Sequence, residues 1–357
     1  MKLVMTLVCR DAEDVLDAQI AFHLSAGVDF VIATDHRSVD GTTDILERYE
    51  RQGYLHLIRE DSEEFEQAAW VTRMARLAAT DFAADWVINS DADEFWWPRG
   101  PDLKQVLSSI PSRYGLVRAI WRTFPPRPDD TQHFAEGMTV RVSPVAPIND
   151  PTTPWRPNAK LIHRADPAVT VRIGNHAVEN TTLQPLRGWF PVEILHFPWR
   201  SYAQCSQKAS LFRSSGFYHG HRLVHDAQAA GLIAEYYDSL VVDDDALERG
   251  LAEGALVHDT RLRDALRTLA GSTVVPGSAH SDRFALPSEA PPLVFRTPSV
   301  VDDVAHAVEA AVFGEAEIVR AQRRLDDLEQ RIASLERRPW SRLVRKLRRA
   351  VGRDRAT

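Results

Sequence analysis

The first ninety residues alternate between short apolar runs of strand length and longer segments whose apolar side chains recur at helical spacing. Residues 2–8 form the first apolar run, and residues 11–26 continue with helical periodicity up to Gly27. Further strands are predicted over 28–33, over 54–58 and from Trp86, separated by helices that end near Tyr49 and span about 62–79. This alternation predicts an α/β fold with a mostly parallel, doubly wound sheet, which binds ligands at the carboxyl ends of its strands.

An acidic stretch, Asp91-Ala92-Asp93-Glu94, directly follows the apolar run Trp86-Val87-Ile88. Two carboxylates at the end of a buried strand can bind a hard divalent cation such as Mg²⁺ or Mn²⁺, which favours oxygen ligands and often shares them with substrate phosphates. The alternative is an acidic turn that caps the strand without binding a metal. Asp35 follows the second predicted strand and therefore falls at the same edge of the sheet.

Four groups of residues together resemble a known family. They are Arg10 with Leu16, Phe22-His23-Leu24 with Gly27-Val28-Asp29, Asp35-x-x-Ser38-x-Asp40-Gly41-Thr42, and Trp86-x-x-x-x-Asp91-x-Asp93-Glu94-Phe95. With these motifs the chain resembles glycosyltransferases of the GT-A fold, specifically the family 2-like group that includes family 92. Thinner similarities at Lys160, His176 and Leu195-His196-Phe197 extend the resemblance to about residue 215. The chain departs from the family at Asp11-Ala12 and His36, where relatives bind the nucleotide.

The resemblance implies transfer of a sugar from a nucleotide-sugar donor, with Mn²⁺ or Mg²⁺ as the cofactor. Asp93 would bind the ion directly, Asp91 would bind it directly or through water and ribose, and His196 would complete the metal site. The residues that would bind the nucleotide sugar are Arg10, Asp35, Asp40, Asp91 and Lys160. Two alternatives remain open, because Asp35 can cap the following loop as an Asx turn and His196 can be a hydrogen-bonded packing residue of its strand.

An inverting transferase also needs a base on the acceptor side of the anomeric carbon. The candidates are Glu179, Glu94 and His176, and Glu193 is a further carboxylate in a suitable position. Glu179 is the first choice because it lies in a loop-like stretch, where functional residues concentrate. Glu94 can instead orient the acceptor or brace the acidic turn, and His176 can contact the acceptor, the donor or neither.

The composition is that of a soluble globular protein with one large domain and appendages, since 44% of the 357 residues are hydrophobic and 26% are charged. Cys9 and Cys205 lie far apart without metal-ligand spacing, which suits a reducing compartment rather than a disulfide framework. The first apolar run is too short for a signal peptide, and no stretch is long enough to span a bilayer. These features predict a cytoplasmic protein.

The net charge of −7 conceals an asymmetry along the chain. Residues 337–357 carry nine basic side chains against one aspartate, a net charge of +8, which leaves −15 on the first 336 residues. An acidic body argues against a nucleic-acid partner. The basic tail, residues 338–357, has apolar side chains including Trp340 along one face of a predicted helix over 340–353, which favours peripheral contact with an anionic membrane surface. A solvated tail or a nucleic-acid contact is the alternative.

The chain divides into a predicted catalytic domain over 1–215, a helical or irregular extension over 216–297 on the acceptor side, a long helix over 298–337, and the basic tail. Within the extension, helical patterns cover 244–257 and 261–269, and His219, His221 and His225 form a cluster. Apolar residues recur at spacings of three and four along the long helix, at Ile318, Ala321, Leu325, Leu328, Ile332 and Leu335. This spacing predicts a short coiled coil over 318–335 and a homo-oligomer; a helix packed on its own domain is the alternative.

Together these observations predict a metal-dependent, inverting glycosyltransferase that acts on a glycan or lipid-linked acceptor in bacterial surface polysaccharide synthesis. A sugar nucleotidyltransferase is an alternative, but it would need a Gly-rich basic loop after the first strand, where the chain has Cys9-Arg10-Asp11-Ala12. A non-catalytic assembly factor that binds a nucleotide sugar is another. The intact acidic stretch argues against that role.

Overall fold

The computed structural model describes residues 1–128, 132–143, 155, 158–215, 226–228, 230–270, 284 and 293–337. Its strands are β1 (Leu3–Cys9), β2 (Phe30–Asp35), β3 (Leu55–Arg59), β4 (Trp86–Asp91), β5 (Glu94–Pro98), β6 (Tyr114–Thr123), β7 (Val140–Val142), β8 (Ala159–Arg164), β9 (Thr170–Val171), β10 (Val178–Glu179), β11 (Gln184–Pro185), β12 (Val192–His196) and β13 (Leu256–His258). Its helices are α1 (Glu13–Ser25), α2 (Thr42–Arg51), α3 (Gln67–Thr80), α4 (Leu103–Ser108), α5 (Phe134–Gly137), α6 (Tyr202–Ser215), α7 (Ile233–Asp238), α8 (Asp244–Ala252), α9 (Arg261–Ala270) and α10 (Val300–Arg337).

One large sheet organises the described residues, with the strand order β3-β2-β1-β4-β8-β6-β12-β5 and with β11 beside β6. Strands β1 to β4 pair in parallel with one another, and β6 pairs in parallel with β11 and β12. Strand β8 runs antiparallel between β4 and β6, and β5 runs antiparallel to β12 at the edge. The sheet confirms the predicted α/β class with mostly parallel strands.

Strand β1 lies in the middle of the parallel part, and all seven of its residues are buried. Alternate side chains of a strand point to opposite faces of the sheet. Leu3 and Leu7 therefore pack in the core cluster that includes α1, whereas Val4 and Val8 pack in a second cluster with α3. A strand covered on both faces needs the continuous apolar run that the sequence shows, which is why this strand was predicted within one residue of its observed bounds.

The predicted helix over 244–257 is wrong in its second half. Helix α8 ends at Ala252, and Gly254 follows with a φ of 71°, a left-handed conformation that favours glycine and ends helices. The chain then forms β13, which pairs antiparallel with β7. Leu256 and Val257 continued the helical spacing in the sequence, so the apolar pattern alone did not reveal the strand.

Residues beyond 215 contribute to the same core as the first helix. Leu262 and Leu266 of α9, together with Phe295, belong to the cluster that includes α1 and β1. The proposed division into a catalytic domain and a separate extension stays a prediction, and the described part of the extension shares its hydrophobic core with the sheet. The predicted basic tail, its 340–353 helix and the cluster of His219, His221 and His225 lie outside the described residues.

Helix α10 is 38 residues long and confirms the predicted C-terminal helix. Its first part packs on the sheet, where Phe313 and Ala316 are buried. Its second part exposes the predicted apolar seam. None of the described helices is long and apolar enough to cross a membrane.

Candidate active site

The sheet topology brings the predicted site residues to one edge. Strands β2, β4 and β12 run in the same direction, so their last residues, Asp35, Asp91 and His196, lie at that edge. Strands β5 and β8 run in the opposite direction, so their first residues lie there, and these include Glu94 and Lys160. Residues separated by more than a hundred positions in the chain therefore meet at the carboxyl ends of the parallel strands.

Asp91 is held by three side chains. Its Oδ1 accepts hydrogen bonds from Gln67 Nε2 at 3.1 Å and Asn175 Nδ2 at 3.1 Å, and its Oδ2 lies 2.5 Å from Lys160 Nζ. Lys160 is buried, and burial alone would lower its pKa, but Asp91 and Glu94 outweigh burial and raise the pKa above its ordinary value. The ammonium group is therefore a fixed positive charge beneath the acidic turn.

Glu94 is fully buried and braces this turn. Its Oε2 accepts the backbone N–H of Asp91 at 3.1 Å, and its Oε1 lies 2.9 Å from Trp121 Nε1 and 2.8 Å from Lys160 Nζ. Burial, reinforced by the neighbouring Asp91 and Asp93 and opposed by Lys160, raises the pKa of Glu94 to about 8. These contacts match the bracing alternative, and the catalytic role stays a prediction.

Asp93 faces Lys208 and His196, which lie on later segments of the chain. Lys208 Nζ of α6 donates to its Oδ2 at 2.8 Å, and His196 Nε2 lies 3.8 Å from its Oδ1. Burial would raise the pKa of Asp93, but Lys208, His196 and Arg200 hold it well below its usual range. Asp93 is therefore ionised throughout the physiological pH range.

Two histidines flank Trp121. His196 stacks on its ring with centroids 4.2 Å apart, and His176 meets it edge-on at 5.6 Å. The Nδ1 of His176 lies 2.9 Å from the carbonyl oxygen of Ala159, which can only accept, so Nδ1 carries the proton. Nε2 is then the acceptor for Asn158 Nδ2 at 3.2 Å. Burial and the charge of Lys160 lower the pKa of His176, which keeps the ring neutral.

A tight turn places Asn175 and His176 beside Asp91. Gly174 and Asn175 adopt φ values of 71° and 61°, a region that glycine and asparagine tolerate better than other residues. A Cβ at Gly174 would lie 2.8 Å from the His176 ring. The sequence signal here was only a Gly-Asn turn, and it did not identify Asn175 as a partner of Asp91.

The donor atoms at Asp93 suit a hard cation only in part. A carboxylate oxygen and an imidazole nitrogen are 3.8 Å apart, and carboxylate oxygen is the ligand that Mg²⁺ and Mn²⁺ favour. Both oxygens of Asp91 are hydrogen-bonded to protein groups. A cation held by Asp93 and His196 would therefore take its remaining ligands from a bound diphosphate and water.

A second cluster in the described part of the chain has three potential metal ligands, Glu193, His306 and Glu309. Their ligand atoms lie within 4.8 Å of one another. Arg122 occupies its centre. The guanidinium lies 2.8 Å from Glu193, 3.0 Å from His306 Nδ1 and 2.5 Å from Glu309. A guanidinium already supplies the positive charge there, so this cluster is a buried ion-pair network that ties α10 to the sheet.

The residues predicted to bind the nucleotide form local contacts around the first two strand ends. Asp35 accepts hydrogen bonds from Ser38 Oγ and Thr43 Oγ1, both at 2.6 Å, as expected for the loop-capping alternative. Asp40 accepts the backbone N–H groups of Thr42 and Glu13. The Nε of Arg10 lies 3.6 Å from its neighbour Asp11. Their roles toward a nucleotide stay predictions.

The two remaining candidate bases lie apart from the acidic turn. Glu179 forms an ion pair with Arg172 at 2.8 Å across the β9–β10 hairpin, and both side chains are exposed. Glu193 is buried between Arg122 and Arg261; burial would raise its pKa, but the two arginines hold the pKa well below its usual range. A carboxylate held in this way is a poor proton acceptor. His176 lies closer to the acidic turn, because it contacts Trp121, which in turn hydrogen-bonds to Glu94.

Three solved structures resemble parts of the chain at low identity. A mycobacterial protein is 18% identical over 34% of this chain and 41% of its own, with a TM-score of 0.25. Residues 1–349 of S. aureus TarS are 14% identical, with 68% of this chain and 84% of that chain covered and a TM-score of 0.32. Glucosyl-3-phosphoglycerate synthase from Mycobacterium tuberculosis, solved with Mn²⁺, uridine diphosphate and glucosyl-3-phosphoglycerate, is 19% identical over 36% of this chain and 44% of its own, with a TM-score of 0.24.

The chain spans about two fifths of the mycobacterial protein, and no curated protein matches it significantly. The amino-acid sequence assigns the chain to a family more clearly than these structures do. Glycosyltransferase family 92 matches residues 10–208, from the end of β1 to Lys208 of α6, which is more than half of the chain. This range contains the acidic turn, Lys160, His176 and His196. The chain therefore belongs to glycosyltransferase family 92, the family group that its motifs resemble.

Proposed function

We propose that the protein transfers a sugar from a nucleotide-sugar donor to an acceptor hydroxyl, with a divalent cation at Asp93 and His196. The observation that carries the proposal is an aspartate kept ionised by its neighbours, 3.8 Å from a histidine, at the ligand-binding edge of the sheet. Membership of a glycosyltransferase family supports the reaction class. When bound, the cation would neutralise the diphosphate leaving group.

The charges around the turn suit a diphosphate. Lys160 and Lys208 bring two ammonium groups to the acidic turn, and Arg200 forms a two-pronged ion pair with Asp14 nearby. The Nζ of Lys208 also lies 5.2 Å from the centre of the Trp199 ring. Lys208, which retains partial exposure, can exchange Asp93 for a phosphate oxygen when a donor binds. Fixed positive groups of this kind stabilise the charge that develops on the leaving group.

His176 is the proposed base for the acceptor hydroxyl. It is neutral, its proton is fixed on Nδ1, and its Nε2 carries an available acceptor lone pair once Asn158 moves aside. A base of this kind removes the acceptor proton as the sugar is transferred. Asp91 is held by Lys160, and Asp93 is assigned to the cation, which supports a single displacement with inversion rather than a covalent intermediate.

The acceptor is proposed to be a glycan or a lipid-linked glycan of the bacterial surface, reached from the cytoplasmic side. The basic sequence of residues 340–353, with apolar side chains at helical spacing, supports a membrane-associated acceptor. The acidic charge of the preceding residues disfavours nucleic acid as a partner.

A thermal-shift screen of nucleotide sugars with and without Mn²⁺ tests the proposal, because a specific ligand stabilises the native state by mass action. At least one donor is expected to raise the melting temperature more with Mn²⁺ than without it, and Asp93→Asn is expected to remove the Mn²⁺-dependent part.

Donor binding without transfer to any glycan acceptor would favour an assembly factor. Release of pyrophosphate from a nucleoside triphosphate and a sugar phosphate would favour a nucleotidyltransferase. An inverted anomeric carbon in the product, read by NMR, tests the single displacement.

A further inference from the structure

The first part of α10 is anchored to the sheet by ion pairs at three points. Asp303 pairs with Arg99 at 2.7 Å, Glu309 pairs with Arg122, and Glu317 forms two hydrogen bonds with Arg118 at 2.6 and 2.7 Å. Phe313 is buried between these anchors. The helix is thus ordered up to Glu317 by contacts with its own chain.

The apolar seam begins at the next residue and is exposed to solvent. The exposed fractions are 70% for Ile318, 55% for Leu325, 51% for Leu328, 57% for Ile332 and 52% for Leu335. Adjacent residues of an α-helix are about 100° apart around the axis. Ile318 therefore lies about a quarter turn from Glu317, and a partner helix can cover the seam without displacing the contacts to the sheet. The alternative of a seam packed on its own domain does not apply to the described chain.

The side chains of the seam have the pattern of a two-stranded coiled coil. Numbered as heptads, Ile318, Leu325 and Ile332 occupy a positions, and Ala321, Leu328 and Leu335 occupy d positions. Isoleucine at a with leucine at d favours two parallel strands. Two of the three a residues and two of the three d residues follow this preference.

The charges beside the seam indicate the direction of the partner. Arg324 and Arg331 fall at g positions, and each is followed five residues later by a glutamate at an e position, Glu329 and Glu336. In a parallel pair each g residue faces the e residue of the following heptad in the partner, so arginine meets glutamate. An antiparallel pair would place g beside g and e beside e, with arginine against arginine and glutamate against glutamate.

We propose that residues 318–335 of α10 form a parallel two-stranded coiled coil with a second copy of this chain. The seam covers fewer than three heptads, which is short for an isolated coiled coil. The anchors at Arg99, Arg118 and Arg122 order the helix before association, which removes part of the entropic cost of pairing. Parallel pairing brings the carboxyl ends of both copies of α10 to the same end of the coiled coil.

Light scattering on the full chain over a concentration series tests the association. The expected mass is twice the 40.2 kDa of one chain, and Leu328→Asp is expected to return the mass to that of a monomer. Gln330→Asp, at an outward f position of the same helix, is the matched control and should leave the dimer intact. Because both positions are exposed, circular dichroism should show the same helix content in both variants. A monomeric mass at every concentration would overturn the proposal.

Oxidative cross-linking tests the direction. Leu335→Cys is expected to give a disulfide-linked dimer, because a parallel pair places the two copies of residue 335 opposite each other. Ser334→Cys, at the neighbouring outward position, should cross-link far less, and the natural Cys9 and Cys205 are buried. Cross-linking of Leu335→Cys only to a chain carrying Ile318→Cys would show an antiparallel pair and refute the proposal. Arg324→Glu should weaken the dimer, and adding Glu329→Arg should restore it.

Discussion

Arg122 joins α10 to the sheet through a largely buried ion-pair network, and its removal gives a quantitative test of that network. The guanidinium is 1% exposed and contacts Glu193, His306 and Glu309. We expect Arg122→Met, which keeps an unbranched side chain of similar length, to leave the buried Glu193 and the half-buried Glu309 without their central cation. Breaking a buried pair by removing one partner costs about 3 to 5 kcal/mol. Arg261 remains 2.8 Å from Glu193 and Arg141 remains 3.5 Å from Glu309, so the expected loss is at the lower end, about 3 kcal/mol.

Arg118 offers a matched control on the same strand and against the same helix. Its ion pair with Glu317 is partly exposed, with side-chain exposures of 33% and 39%. Partly exposed pairs contribute about 0 to 1 kcal/mol, so Arg118→Met is expected to cost about 1 kcal/mol when its contact with the Phe313 ring is included. The free energy of unfolding in urea, measured for both variants, tests whether the two losses differ as expected. A loss for Arg122→Met no larger than that for Arg118→Met would refute the assignment of a stabilising buried network.

Three further predictions concern the active site. Asp93→Asn should abolish Mn²⁺-dependent donor binding in calorimetry. The free protein should stay folded with a lower melting temperature, because the ion pair of Asp93 with Lys208 is lost. Unchanged Mn²⁺-dependent binding would move the cation elsewhere. His176→Gln should lower turnover about 10² to 10⁴-fold with donor affinity preserved. Because the pKa of His176 lies below its ordinary 6.5, turnover of the parent should persist below pH 6.5 and fall only as the ring takes up a proton. If Glu179→Gln lost turnover instead, Glu179 would be the base. Burial raises the pKa of Glu94 from 4.5 to about 8, so between these pH values the folded state retains a proton that the unfolded chain releases. The free energy of unfolding of the parent therefore falls as pH rises from about 4.5 to 8, and Glu94→Gln should flatten this dependence. An equal pH dependence of the free energy of unfolding in urea for parent and variant would contradict this.

The sequence predicted the fold class because parallel strands buried on both faces require continuous apolar runs. The strand predicted from Trp86 begins at that residue, and the strands now seen at Leu3–Cys9 and Leu55–Arg59 lie within one residue of their predicted bounds. The boundary of α3 was less clear, because the helix begins at Gln67, five residues later than predicted. Residues 62–66 carry acidic side chains that are also common in the first turn of a helix, so the pattern did not separate loop from helix.

The acidic turn was recognisable because a local motif marks it, whereas its partners were not. Lys208 lies 115 residues from Asp93, and Asn175 lies 84 residues from Asp91. Nothing in the sequence around Lys208 distinguishes it from an ordinary basic residue of a helix. Only the folded sheet, which aligns the ends of β4, β8 and β12, brings these groups together.

The sequence by itself thus determined the alternation of strands and helices, the position of the acidic turn and the apolar spacing of the last helix, since each follows from local periodicity or from adjacent residues. The tertiary structure decided which cation neutralises each carboxylate, which nitrogen of His176 carries the proton, and that Arg122 occupies the centre of the Glu193, His306 and Glu309 cluster. It also decided that α10 docks up to Glu317 and exposes the seam beyond it. These features depend on the energies of contacts between distant segments, and such contacts leave no periodic trace in a single sequence.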